Sequence, residues 1–242
     1  FGVDFLVNEG LHKNTWVPPN EEHNPYFTGF PERPHKEICS SEALVLGLKE
    51  LDLSFNSIGN QGIEILATYI KCDYNTLVKL DVSNCKIVTK GAVTFFLAMG
   101  QQHTIQELNL SNNDINISSA ANRDHTLKFP ELLCNALEAS ICISLVCLKL
   151  ENCGLGDSEF MAIGQSLKHV NCLKQLYIQQ NKITSLGMRS FCNQMNASTC
   201  LLEHIDISEN KINDDCEREL VDALGSKSLK RIIIKGNSLF GA

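Results

Sequence analysis

The sequence predicts an α/β solenoid shaped as a horseshoe, with short parallel strands on the concave side and helices on the outside. Seven stretches fit one 11-residue template that has aliphatic residues at positions 1, 4, 6 and 11. The copies begin at residues 48, 77, 105, 145, 173, 202 and 229, so their spacings are 29, 28, 40, 28, 29 and 27 residues. Between copies, apolar residues recur every three or four positions. A period on this scale is typical of a solenoid built from one repeated unit.

Each template copy predicts a short strand with one buried face. The apolar positions 4 and 6 alternate with mostly polar positions 3, 5 and 7, which is the period of a half-buried strand. We therefore predict seven strands in one parallel sheet, in sequence order, at residues 50–53, 79–82, 107–110, 147–150, 175–178, 204–207 and 231–234.

The segments after the template predict helices. Stretches such as "GIEILATYI", "GAVTFFLAMG", "FPELLCNALEA" and "LVDAL" repeat apolar residues at helical spacing. One unit cannot bury its apolar face alone, so successive units stack and the helices lie outside the sheet.

Template position 9 carries asparagine or cysteine, and we expect these side chains to turn inward where the backbone bends. An amide at this place can bond the loop backbone of adjacent units, and a thiol can fill the same space with weaker bonds. The residues at position 9 are Asn56, Cys85, Asn113, Cys153, Asn181, Asn210 and Asn237.

The pattern LxxLxLxx(N/C)x(L/I), with spacings of 28 and 29 residues, resembles the leucine-rich repeats of the ribonuclease-inhibitor-like class. The resemblance covers residues 48–242 and implies the fold. The class also includes the sensor ends of NOD-like receptors, the Ran GTPase-activating proteins and several cytoskeletal or ciliary scaffolds. The resemblance therefore implies protein binding without naming the partner.

Two segments depart from the template. Residues 1–47 contain five of the six prolines and the only tryptophan, and we interpret them as an N-terminal arm that either caps the repeat domain or docks on another protein. Residues 116–128 account for the 40-residue spacing, as a tolerated surface loop or as a binding loop. The seventh strand is followed only by "NSLFGA", so we expect a longer chain or a larger assembly to cover it.

Composition excludes several function classes. The net charge of -7 argues against a nucleic-acid partner, and no apolar run reaches the length of a membrane span. The 11 cysteines are odd in number and form no Cys-x-x-Cys pair, so we expect reduced thiols in a cytoplasmic protein, with the cytoskeleton and the cilium as its candidate locations. The histidines are scattered among units, so we predict no catalytic residues, no cofactor and no metal site.

An enzymatic alternative follows from the resemblance to Ran GTPase-activating proteins. These use an arginine on a strand-to-helix loop to support phosphoryl transfer in a bound GTPase. Arg123 is the arginine in such a loop here, but it lies within the insertion rather than in a regular loop.

The favoured function is therefore a non-enzymatic scaffold that binds a protein on its concave face or rim. Positions 3, 5, 7 and 8 face the concave side, because positions 4 and 6 face the core. Acidic residues are frequent there in the first three units, and the last strand is basic. Tyr177 is expected to be exposed and to be the central anchor, because exposed rigid aromatic side chains supply interface hot spots. The full set of predicted binding residues is Phe55, Asp52, Asp81, Lys149, Tyr177, Asp206 and Arg231.

Overall fold

A computed structural model describes residues 47–72, 75–101, 104–115, 144–167, 172–196, 201–225 and 228–238. Almost all of the arm at 1–47 and the whole of the insertion at 116–128 lie outside these ranges, as does the helix expected at "FPELLCNALEA". The predictions about them stay predictions.

The seven predicted strands form one parallel sheet in sequence order, which confirms that part of the prediction. They are β1 (Glu50–Asp52), β2 (Lys79–Asp81), β3 (Glu107–Asn109), β4 (Cys147–Lys149), β5 (Gln175–Tyr177), β6 (His204–Asp206) and β7 (Arg231–Ile233). Each strand is one residue shorter than predicted. The residue at template position 6 still donates its N–H to the neighbouring strand, as Leu53 does to the Asp81 carbonyl at 2.8 Å. The chain bends immediately after this residue.

Helices follow five of the seven strands within the described residues. They are α1 (Gly59–Ile70), α2 (Thr89–Met99), α3 (Asp157–Ser166), α4 (Ser185–Asn196) and α5 (Glu217–Leu224), the last preceded by a 3-10 turn at Asp214–Cys216. Neighbouring helices pack side by side, α1 on α2, α3 on α4 and α4 on α5. The chain is thus an α/β solenoid of strand–helix units with a parallel concave sheet and outer helices, as the repeat pattern predicts.

One hydrophobic core lies between the sheet and the helices. Leu80, Val82, Leu176 and Ile178 occupy positions 4 and 6 and are buried. These residues belong to one apolar cluster that extends from Leu51 to Ala223. At the end of the sheet, Ile232 and Ile234 pack against the cluster but remain half-buried.

The bend after each strand is made by a residue in the left-handed region at template position 8. All seven have positive φ, between 49° and 72°, namely Phe55, Asn84, Asn112, Asn152, Gln180, Glu209 and Gly236. Short polar residues and glycine tolerate this conformation, whereas a bulky aromatic residue rarely adopts it. Phe55, with φ of 59°, is therefore the conformational outlier of the series.

Position 9 ties consecutive units together, as expected. The Asn113 side chain is buried and donates to the Val82 and Leu110 carbonyls at 2.9 and 2.8 Å. Its Oδ1 accepts from the N–H groups of Cys85 and Ile87 in the preceding unit. Asn56 differs, because its side chain is exposed and bonds only the carbonyls of its own unit.

Cysteine replaces asparagine at two of these positions. The buried Cys85 Sγ donates to the Leu53 carbonyl at 3.1 Å, and Cys153 Sγ donates to that of Leu110 at 3.3 Å. Burial raises the pKa of Cys153 to about 12. The seven cysteines that the structure describes are free thiols.

Candidate protein-binding face

The candidate site is the concave face of the sheet, where the side chains at positions 3 and 5 project away from the core. In β1, Glu50 and Asp52 are exposed while Leu51 between them is buried. The same alternation recurs in β2, β3, β5 and β6, but it is weaker in β7, whose middle residue is only half-buried, and it fails at position 3 of β4. There Cys147 is buried, and this burial raises the pKa of its thiol.

The acidic residues of β1–β3 are partly neutralised by one lysine. Lys79 Nζ lies 3.5 Å from a carboxylate oxygen of Glu50 on one side and of Glu107 on the other. These two carboxylates, Glu107 first, raise the pKa of Lys79. The predicted acidic row is therefore partly paired within the sheet.

The predicted binding residues Asp52, Asp81 and Asp206 have a role within their own units. Asp81 Oδ1 accepts from the N–H and hydroxyl of Ser83, at 2.9 and 2.6 Å. Asp206 makes the same two bonds with Ser208, and Asp52 accepts from the N–H of Ser54. The bonds from Ser54 lower the pKa of Asp52. These carboxylates hold the chain where each strand ends.

Sequence reasoning missed this role although a signal was present. Aspartate or asparagine at position 5 is followed by serine at position 7 in four units, at 52, 81, 109 and 206. Aspartate and asparagine side chains commonly bond the backbone N–H two residues later, so the spacing itself indicates a turn.

Tyr177 lies on β5 between two nitrogen-bearing side chains. Lys149 Nζ is 5.9 Å from the centroid of the tyrosine ring, and the His204 ring is 5.1 Å away at an interplanar angle of 37°. The Tyr177 hydroxyl donates to Gln175 Oε1 at 3.4 Å. The expectation of an exposed ring is wrong, because these neighbours leave Tyr177 half-buried. Burial raises the pKa of its hydroxyl.

His204 is a residue that sequence reasoning placed on this face without assigning it a role. Its Nε2 is buried and has no hydrogen-bond partner among the described residues. Arg231 lies beside it in the β6–β7 register. Burial, followed by the positive charge of Arg231, lowers the pKa of His204.

The structure brings together four of the seven predicted binding residues. Lys149, Tyr177 and Asp206 are register neighbours on β4, β5 and β6, and Arg231 lies on β7. Asp52 and Asp81 are neighbours on β1 and β2. Four strand spacings separate β1 from β5, which is about 19 Å, so the two groups are not one site.

Phe55 belongs to the β1 end of the sheet. It follows the strand at the bend, and its side chain is 78% exposed. Its N–H still donates to the Ser83 carbonyl at 2.9 Å, so the backbone of this residue is fixed while its ring lies in solvent.

Another concavity lies on the rim rather than on the sheet. It is lined by Thr184, Ser185, Leu186, Arg189, Lys211, Asn213 and Asp215. Arg189 there donates to the Asp215 carbonyl and pairs with Glu219 at 3.2 Å, and Ser185 bonds Asn213. The polar groups of this rim are thus largely bonded to one another.

Within the described ranges, no cluster of three or more histidine, cysteine or acidic side chains could hold a metal ion. No described helix is long and apolar enough to cross a bilayer. Arg123, the arginine of the enzymatic alternative, lies outside the described residues.

The comparison with protein families agrees with the observed repeats. A family model described as "Leucine Rich repeat" matches residues 48–67, 75–96, 101–116 and 169–192. The matched segments coincide with four of the seven units.

The chain is also similar to curated proteins. Mouse ribonuclease inhibitor is 26% identical over 193 residues, covering 79% of this chain and 40% of the inhibitor. The pig inhibitor is likewise 26% identical over 193 residues, with the same coverage. Human NACHT, LRR and PYD domains-containing protein 3 is 26% identical over 208 residues, covering 84% of this chain and 19% of that protein. The chain therefore spans less than half the length of these relatives.

Proposed function

Because this chain is a leucine-rich repeat protein of the ribonuclease-inhibitor-like class, we propose that it is a non-enzymatic scaffold whose protein partner lies along the concave sheet, with Tyr177 at the centre of the contact. The observation that carries the proposal is the position of the Tyr177 ring, half-buried between Lys149 and His204 on the open face of the sheet.

A ring held in this way suits an interface anchor. Tyrosine has few rotatable bonds, and its neighbours restrict them further, so little conformational entropy remains to be lost on binding. The ring still presents part of its surface and its hydroxyl to a partner. Anchors of this kind typically account for about 2 kcal/mol or more of binding free energy.

The cysteine chemistry supports a binding role over a catalytic one. Cys147 is the thiol on the concave face, and burial raises its pKa. The thiolate is the nucleophilic form, so a raised pKa makes Cys147 a poor nucleophile at neutral pH. The buried free thiols also support the cytoplasmic setting that we propose.

We further propose that residues 48–242 form one repeat domain, to which the arm at 1–47 is attached. If the partner instead engages the rim, the insertion at 116–128 is the segment expected to contact it.

The proposal is tested with a partner recovered by proximity labelling in the source cell. Affinity for that partner is expected to fall at least about tenfold in Tyr177→Ala, because the main anchor is lost. Leu186→Ala is the matched control, since it truncates a large exposed side chain on the rim and is expected to leave affinity unchanged.

Unchanged affinity in a folded Tyr177→Ala variant would contradict the proposal. Faster GTP hydrolysis by a small GTPase in the presence of this chain, lost in Arg123→Ala, would instead establish the enzymatic alternative.

A further inference from the structure

We propose that the concave face of β4–β7 receives a carboxylate-bearing segment of the partner, held by Lys149 and Arg231 on either side of Tyr177 and His204. These four residues are called the cationic cluster below. The inference rests on the proposed function and specifies the chemistry of the partner at that site.

The first observation is that the two cations of the cluster differ from Lys79 on β2 and from Lys174 and Lys230, which directly precede β5 and β7. Lys79 pairs with Glu50 and Glu107. Lys174 and Lys230 both pair with Glu203, at 3.9 and 2.7 Å.

Lys149 and Arg231 are exposed, and neither has an ion-pair partner among the described residues. An unpaired surface cation is common by itself, so the groups that lie between these two cations decide whether they form a site.

The second observation is the unsatisfied nitrogen between them. His204 Nε2 is buried without a hydrogen-bond partner in the described part of the chain. Such groups in native proteins usually have a partner, which a bound molecule can supply. With a proton on Nε2, His204 donates to a carboxylate oxygen, and the carboxylate in turn favours the protonated imidazole.

The third observation is the charge difference along the sheet. At positions 3 and 5, β1–β3 carry four acids and one lysine, which gives -3, namely Glu50, Asp52, Asp81, Glu107 and Lys79. The same positions of β4–β7 carry Lys149, Arg231 and Asp206, which gives +1 with His204 neutral. An acidic segment is thus repelled by one half of the face and attracted by the other.

Asp206 is the residue that opposes this binding, because it is the register neighbour of Tyr177. Its Oδ1 already accepts two hydrogen bonds from Ser208, which fix the carboxylate at the end of the strand. A partner carboxylate is therefore expected on the Lys149 and Arg231 sides of Tyr177 rather than directly above Asp206.

The distance between the two cations also sets how far apart the acidic residues of the partner segment must be. β4 and β7 are three strands apart, which is about 14 Å at the usual interstrand distance. An extended segment that crosses the strands advances about 3.3 Å per residue, so its two acidic residues would be about four positions apart.

The test uses fluorescein-labelled octaglutamate as the probe and octalysine as its opposite, with binding followed by fluorescence anisotropy. Binding is measured at about 100 mM salt, because this salt concentration screens the negative charge of the whole chain beyond about 10 Å. We expect octaglutamate to bind, and Lys149→Gln and Arg231→Gln each to weaken binding by about threefold or more. Lys174→Gln is the control, because it removes the same charge from a lysine that is already paired with Glu203.

The inference is overturned if octaglutamate does not bind, if octalysine binds more tightly, or if Lys174→Gln weakens binding as much as Lys149→Gln. The same variants are then measured with the recovered partner. If Tyr177→Ala lowers the affinity for the partner while Lys149→Gln and Arg231→Gln leave it unchanged, the proposed function stands and this inference fails. If Tyr177→Ala leaves the partner's affinity unchanged, the proposed function itself fails.

Discussion

The rings of Tyr177 and His204 lie 5.1 Å apart on neighbouring strands of the concave sheet, tilted by 37°. The pair joins the aromatic ring that we propose as the interface anchor to a histidine whose Nε2 has no partner among the described residues. Because His204 is held beside Arg231 and partly buried, its protonation affects both the stability of the sheet and the charge that a partner meets.

The first prediction concerns the pH dependence of stability. The pKa of His204 is lowered in the folded chain, chiefly by burial and then by Arg231. The unfolded chain therefore binds more protons as pH falls below the ordinary histidine pKa of about 6.5. The contribution of His204 is fully present above that pH and is lost as pH falls through its folded-state pKa.

Urea unfolding between about pH 7.5 and pH 5 measures this effect. We expect the free energy of unfolding to fall less steeply with decreasing pH in His204→Gln than in the wild type. If the free energy of unfolding falls equally steeply with pH in both proteins, His204 does not contribute to the pH dependence of stability.

The second prediction concerns the asparagines that tie the units together. Asn113→Ala removes three donated and two accepted hydrogen bonds in a buried site, so it should cost about 2–4 kcal/mol in the free energy of unfolding. Asn56→Ala is the matched control, because Asn56 is exposed and bonds only its own unit, and it should cost about 1 kcal/mol or less.

Chemical denaturation of both variants provides the comparison. Equal losses at the two positions would contradict the role assigned to the bonds between units.

The third prediction concerns Phe55. It adopts a left-handed conformation at a position where five other units carry asparagine, glutamine or glutamate. Phe55→Asn should therefore raise the free energy of unfolding by about 0.5–1 kcal/mol, because the side chain is exposed and little burial is lost.

The reverse substitution, Asn84→Phe at the same position of the next unit, should lower the free energy of unfolding by a similar amount. A loss of stability in Phe55→Asn would mean that the ring has contacts that compensate its backbone conformation.

The fourth prediction concerns thiol reactivity. Burial raises the pKa of Cys153 and of Cys192 to about 12, so neither should react with iodoacetamide at about pH 8 while the chain is folded. Cys72 and Cys172 are half-buried and should be alkylated first.

Peptide mass spectrometry at successive times separates the sites, with a sample in denaturant as the positive control. Early alkylation of Cys153 in the folded chain would contradict its assignment as an unreactive buried thiol. A disulfide at any of these four cysteines would contradict their assignment as free thiols.

The repeat pattern was sufficient to predict the sheet, its strand order and the inward side chains of position 9, except at Asn56, which is exposed. These features depend on short-range alternation and on a period, both of which are visible in one sequence. Strand ends were predicted less accurately, because the chain bends towards the left-handed residue at position 8 and the extended backbone ends one residue earlier than the apolar pattern suggests.

The site was harder to predict, because it depends on neighbours that are far apart in sequence. Lys149, Tyr177 and His204 come from three units, and the distances among them follow from the register of three strands. Tyr177 was correctly placed on the concave side of the sheet but was expected to be exposed. The pairing of Lys79, and the absence of such a pair at Lys149 within the described residues, follow from lateral contacts that one template copy does not show.

The central claim, that the partner lies on the concave face, is tested most directly by site-specific photocrosslinking. A benzophenone amino acid is placed at Gln175, which neighbours Tyr177 on β5, or at Val221, which is exposed on α5. Both variants are irradiated with the recovered partner. The account predicts a crosslink from position 175 and none from position 221, whereas a crosslink from 221 and none from 175 would contradict it.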